Sequence, residues 1–213
     1  PDMSLPPTFG GARREVVADY VMLPRLFLAF RSQLFGRGTY YAASVAGAIL
    51  GLKKGSRLYR RLVREQQVAA EAQAFTYDLT KGSDLLVVDV TARPETDVAL
   101  LERAVHDEVD RLVADGVTQD EIDRAVTLIE TELITTLQSA GDRADRLSMF
   151  ATYFGNPALV NEQAPRYRAV TTSQVNAFAR ECLVASNRAS LIYVPRDSDV
   201  EPAQTDLAMA ETP

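Results

Sequence analysis

One histidine, His106, and one cysteine, Cys182, are the only side chains of their kinds in 213 residues. A catalytic zinc takes three protein ligands drawn mainly from imidazole, thiolate and carboxylate. A three-ligand nitrogen and sulfur site therefore cannot be assembled within this chain. The string His106-Asp107-Glu108-Val109-Asp110 sets a single imidazole among carboxylates and reads as a charged helix face. Serine or cysteine hydrolysis needs a nucleophile held beside a base, and no local signature marks one. Gly36-Arg37-Gly38 and the glycines from Gly51 to Gly55 match neither a phosphate loop nor a dinucleotide fingerprint, so turn and cap roles account for them. The pairs Glu130 with Glu132 and Asp142 with Asp145 fall in charged helical segments and are expected to face water. Cys182 shares an apolar helix side with Val175 and Phe178 and reads as a buried structural thiol.

The one concentration of charge is basic. Lys53, Lys54, Arg57, Arg60, Arg61 and Arg64 follow one another with no acid between them, in a chain of formal net charge -6. Such a cluster could attract acidic peptide segments or a carboxylate terminus, or dock an acidic face of a partner domain; a solvated helix face is the plain alternative. The acidic balance of the whole disfavours nucleic acid, which needs Lys and Arg spread over an accessible face.

The elements that must position these residues are legible from periodicity. Gly47 to Phe75 reads helix, turn, helix, strand: a small-residue helix stopped in a left-handed conformation at Gly51 or Gly55, then a second helix capped by Ser56. In that helix Leu58, Tyr59, Leu62 and Val63 form an apolar stripe opposite Arg57, Arg60, Arg61 and Arg64. From Val68 to Phe75 the period becomes two. Strands are also expected at 14–21, 25–30, 84–92 and 190–194, the third a nearly continuous apolar run of the kind a central strand carries. Helices are expected at 96–114, from Thr118 with Glu121 as a capping box, at 143–154 before Gly155-Asn156-Pro157, and at 172–184. Ile122, Val126, Ile129, Leu133 and Leu137 make the buried stripe of the Thr118 helix. This order argues for an α+β two-layer domain with a mostly antiparallel sheet. With 46% hydrophobic residues the chain can fill one sizeable core, and a second full domain is not expected.

The string Gly55-Ser56-Arg57-Leu58-Tyr59-Arg60-Arg61-Leu62-Val63-Arg64, followed by a strand at Val68-Ala69, resembles the carboxy-terminal half of an M16-type zinc peptidase domain. Three further stretches fit: Val21 to Phe30 as a first strand entered through Pro24, the junction Gly116 to Glu121, and Tyr167-Arg168-Ala169-Val170-Thr171 leading to the last helix. The resemblance spans roughly 10 to 196 and implies a LuxS/MPP-like metallohydrolase fold. M16 peptidases bind zinc through an H-x-x-E-H motif that this sequence lacks, so the resemblance points to the non-zinc-binding, inactive domain, with zinc in a partner domain. The family also places an Arg and, seven residues on, a Tyr toward substrate. Here Arg64 leads to Glu71, and the alternative register gives Val63 and Ala70, with Tyr77 further along as a candidate for the chamber. The resemblance implies a non-catalytic domain that pairs with a zinc-bearing domain, in the same parent chain or a separate subunit, to enclose and help bind peptide substrates. A structural or assembly subunit that keeps the fold without a peptidase role is the alternative. Arg57, Arg60, Arg61, Arg64, Glu71 and Tyr77 are the candidate contacts with substrate or partner.

The expected organisation is a linker-like segment over 1–12, one domain over 13–196, and a disordered acidic tail over 197–213. The start at Pro1 suggests an excised piece whose targeting signal is not in view; a bacterial-type cytoplasmic or periplasmic setting, without a membrane span, is expected. Excised from a partner, such a domain could form a homodimer through exposed apolar surface.

Overall fold

The computed structural model describes residues 8–196. Expectations for 1–7 and 197–213 lie outside the described residues. A five-stranded sheet in the order β1-β5-β2-β4-β3 is packed by helices, the α+β two-layer arrangement that the periodicity implies. Its strands are β1 (Arg13–Asp19), β2 (Arg25–Ser32), β3 (Ala69–Thr76), β4 (Asp84–Ala92) and β5 (Arg188–Pro195). β2 runs antiparallel to β4 and β5, and β3 antiparallel to β4. Only β1 runs parallel to its neighbour, β5. β4 has the bounds its apolar run predicts, and it lies between β2 and β3, where both of its edges are paired.

Alternation along the strands splits the sheet into two faces. Leu26, Leu28, Phe30, Leu86, Val88, Val90, Ile192 and Val194, all at 0–1% exposure, face the helices. The helix α1 (Tyr40–Gly51) lies against β3, and its sequence explains how closely: Gly47 sits under Phe75, and a Cβ on Gly51 would come within 1.8 Å of the Ala74 nitrogen. Gly51 therefore serves close packing, not a left-handed stop. α1 gives way to extended backbone at Leu52, and Lys53 takes the left-handed conformation with φ 62°. Ser56 does not cap; its hydroxyl donates to the Lys53 carbonyl at 2.8 Å. The expected arginine-rich helix forms as a wide π turn over Tyr59–Glu65, with the Gln66 amide donating to the Arg61 carbonyl. Arg93 ties its end down, donating to the carbonyls of Val63 and Ala69.

Beyond the β3–β4 hairpin come α2 (Val98–Asp115), α3 (Gln119–Gln138), α4 (Ala140–Phe154), α5 (Gln163–Arg168) and α6 (Thr172–Cys182). Asp97 caps α2, and Gly116, at φ 74°, ends it. The Thr118–Glu121 capping box forms as its spacing predicts, and a second one, Thr171 with Gln174, opens α6. The stripe of α3 is buried only at Ile122, Val126 and Ile129; Leu133 and Leu137 are half-exposed because α3 runs past the sheet to meet α4. The last residues of the linker-like start are tied to the body: the Phe9 amide donates to Asn187 Oδ1 at 3.0 Å, and Arg31 stacks on the Phe9 ring.

Candidate functional site

The second face of the sheet carries no part of the core. Phe27, Ala29, Leu85, Leu191 and Tyr193 are half-buried, and Val87, though only 4% exposed, stands apart from the core cluster. The Phe27 and Tyr193 rings meet edge to face at 6.1 Å, one on β2 and one on β5. Beside them the Asp89 carboxylate accepts from Arg25 Nε at 2.8 Å and Nη2 at 2.5 Å, and from Gln73 Nε2 at 2.8 Å. This fork spans β2, β4 and β3, with the Arg25 guanidinium also 4.9 Å above the Phe27 ring. Hydrogen bonding to Asp89 holds the Arg25 pKa up. An apolar surface with a central, mutually satisfied ionic cluster can receive another protein surface without stranding a charge.

Two of the six candidate contacts lie on this face. Glu71 is exposed on β3, and Tyr77, 53% exposed just beyond it, packs edge to face on Phe75 at 5.4 Å. The four arginines lie elsewhere. Arg57 is committed to structure: its Nε donates to Glu121 at 2.7 Å, while Nη2 donates to Glu121 at 2.8 Å and to the Gly116 carbonyl at 2.7 Å. Burial pushes the Glu121 pKa up, but the Arg57 and Thr118 hydrogen bonds outweigh it and bring the group down to about 2. Arg61 pairs with Glu65 at 3.2 Å, and Lys53 with Glu132 at 2.9 Å. Arg60 and Arg64 are exposed.

The unbroken basic run thus does not make a basic face. Arg57, Arg60 and Arg61 line a cleft of about 420 Å³ in which they, with Arg111 and Arg124, are balanced by Glu65, Glu108, Asp115, Asp120 and Glu121. Apart from Glu65, four positions beyond Arg61, the acids that offset the run come from α2 and α3, more than forty positions away, where linear spacing cannot register them. Glu108 is 4% exposed; burial raises its pKa against the pull of Arg111, which donates to it at 2.7 Å.

Sequence reasoning missed the Arg25–Asp89–Gln73 fork, although a signal existed. Asp89 interrupts the apolar run from Leu85 to Val90, and a charge on an interior strand requires a partner. His106 is half-buried on α2, with Nε2 unpartnered and its pKa lowered first by burial and then by Arg188. No group of three or more His, Cys, Asp or Glu that could hold a metal ion occurs among the described residues, so the donor set does not fit a catalytic zinc. Burial pushes the Cys182 thiol up to about 11, as suits an inert core group. No described helix is long and apolar enough to cross a membrane.

Three solved structures share this fold at low sequence identity. A protease from Helicobacter pylori superposes with a TM-score of 0.80 at 20% identity over 92% of this chain and 47% of its own. The chain thus spans about half the length of that protease. The inactive peptidase domain from Bordetella parapertussis matches with a TM-score of 0.74 at 23% identity, over 86% of this chain and 99% of its own. A peptidase M16 inactive domain from Pseudomonas fluorescens gives 0.73 at 20%, over 87% and 43%. No match arises among curated proteins. The family model described as the Peptidase M16 inactive domain matches residues 2–129, more than half of the chain, and the chain belongs to that family.

Proposed function

We propose that this chain is the non-catalytic half of an M16-type zinc metallopeptidase, pairing with a zinc-bearing H-x-x-E-H domain to enclose and help bind peptides. The folded unit of that half is residues 13–196. The observation that carries the reading is the one-sided sheet. One face is sealed by helices, while the other presents Phe27, Leu85, Leu191 and Tyr193 around the Arg25–Asp89–Gln73 fork. A wall of an enclosed chamber needs such a surface: apolar enough to exclude water, and polar at fixed points. Glu71 and Tyr77 lie on that wall, whereas Arg57, Arg60 and Arg61 line the cleft beside α2 and α3. Zinc and the water it activates belong to the partner, since the chain's own donors do not fit the metal.

The test is reconstitution. Hydrolysis of a fluorogenic peptide by the zinc-bearing domain is measured alone and with this chain added, with and without chelator. The expected result is a complex on gel filtration and at least a tenfold rise in chelator-sensitive rate, the scale of effect that positioning gives. Complex formation with no change in rate would replace this reading with an assembly role. Absence of a complex would overturn both.

A further inference from the structure

Away from the open face, two adjoining cavities of about 210 and 220 Å³ lie among α1, α3, α4 and α5 and share Asp78, Leu133, Thr136, Arg146 and Tyr167. The first has apolar walls, including Phe35, Leu137, Phe150 and Val160. The second is polar and reaches Ser44, Thr76 and Glu132. Each is smaller than the roughly 300–1,000 Å³ of sites for drug-sized ligands, which limits an occupant to a small molecule.

At the junction stand two opposite charges that do not close on each other. Asp78 Oδ2 and Arg146 Nη1 are 4.0 Å apart, with their side chains 34% and 35% exposed. Contact ion pairs close to about 2.7–2.9 Å, so hydrogen-bonding capacity remains on both partners. The carboxylate is held firmly nonetheless. Its Oδ1 accepts from the buried Tyr40 hydroxyl and, at 3.0 Å, from Thr76 Oγ1. The Tyr167 hydroxyl lies 3.4 Å from that of Tyr40 and 3.2 Å from Ser44 Oγ, extending the support beneath the cavity floor. Asp78 itself sits in the left-handed region at φ 60°, which aspartate tolerates better than most non-glycine residues.

We infer that this double cavity binds a free apolar α-amino acid of leucine size, with its ammonium on Asp78 Oδ2, its carboxylate on Arg146 and its side chain in the apolar compartment. A zwitterion with an adjacent apolar group satisfies both charges and fills the apolar space. The site lies on the helical side of the molecule and stands independently of the chamber reading.

The test is isothermal titration calorimetry on the full chain with L-leucine, N-acetyl-leucine, leucinamide, the dipeptide Leu-Gly and glycine. Leucine is expected to bind. Loss of either charge, or displacement of the carboxylate in Leu-Gly, should weaken binding by about tenfold or more, and glycine should give no heat. Arg146→Met should weaken leucine binding by a similar factor. Ala164→Phe, which narrows the apolar compartment, should abolish it in a protein whose circular dichroism is unchanged. No heat with leucine at millimolar concentration overturns the inference. So does leucinamide or Leu-Gly binding as tightly as leucine with indifference to Arg146→Met, because the site would then read an amine alone, such as a peptide amino terminus.

Discussion

Asp84 shows how one buried carboxyl can set the pH response of the fold. It is fully buried at the start of β4, opposite Ser32 on β2; its Oδ2 and the Ser32 hydroxyl both lack a partner. Burial raises its pKa from 3.8 to about 6, partly offset by the backbone amides of Leu85 and Leu79. A carboxyl whose pKa is raised on folding contributes its stability below the unfolded value and loses it as pH rises through the folded one. Between about pH 4 and pH 6 this site therefore comes to cost the fold up to about 3 kcal/mol. Asp84→Asn keeps the acceptor for Leu85 and removes the buried charge. It should raise stability at pH 8 by about 1–3 kcal/mol, and the gain should vanish near pH 4. Urea unfolding at the two pH values checks this; a gain of equal size at both would mean that ionisation is not the cause.

At the scale of elements, the sequence marked those that depend on a local signal. β4 was legible as an apolar run, and the start of α3 as a capping box, because each is specified by residues a few positions apart. α1 was legible only at its end. Ten of its twelve residues are buried, so it has no polar face for a helical period to display. α5, six residues preceded by a short 3₁₀ turn, is too brief to establish a period. Of the open face, β2 and β4 offered nearly continuous apolar runs, and its bareness depends on where every helix lies. The α1–β3 contact yields a paired prediction. Gly51→Ala would place a methyl 1.8 Å from the Ala74 nitrogen and 2.3 Å from the Gln73 carbonyl carbon. Backbone cannot yield as a side chain can, so α1 must lift, at a cost of about 3 kcal/mol or more. Gly47→Ala would meet nothing closer than 3.6 Å. Its helix propensity gain of up to about 1 kcal/mol should leave it neutral or stabilising. Equal losses for the two variants in urea unfolding would refute the close-packing role of Gly51.

For the whole molecule, the prediction is self-association in the absence of a partner. Water-facing sheets in antiparallel proteins alternate apolar and polar residues cleanly. Here the middle of the second face is apolar at Phe27, Ala29, Leu85, Leu191 and Tyr193, with Glu15, Arg31 and Glu71 around it, and the fork at Asp89 is internally satisfied, so that it resists burial little. Two copies could therefore cover each other's open faces. Phe27→Asp and Tyr193→Asp together would place two carboxylates on that face without touching the helical core, since both side chains are already half-exposed. The double variant loses the ring contact and the Arg25 stacking and should cost about 1–3 kcal/mol in urea unfolding, with circular dichroism unchanged. It should also shift a concentration-dependent dimer to monomer in analytical ultracentrifugation, and lose association with the zinc-bearing domain. A variant that still dimerised and still paired would place both interfaces elsewhere, and the one-sided sheet would then no longer support a chamber wall.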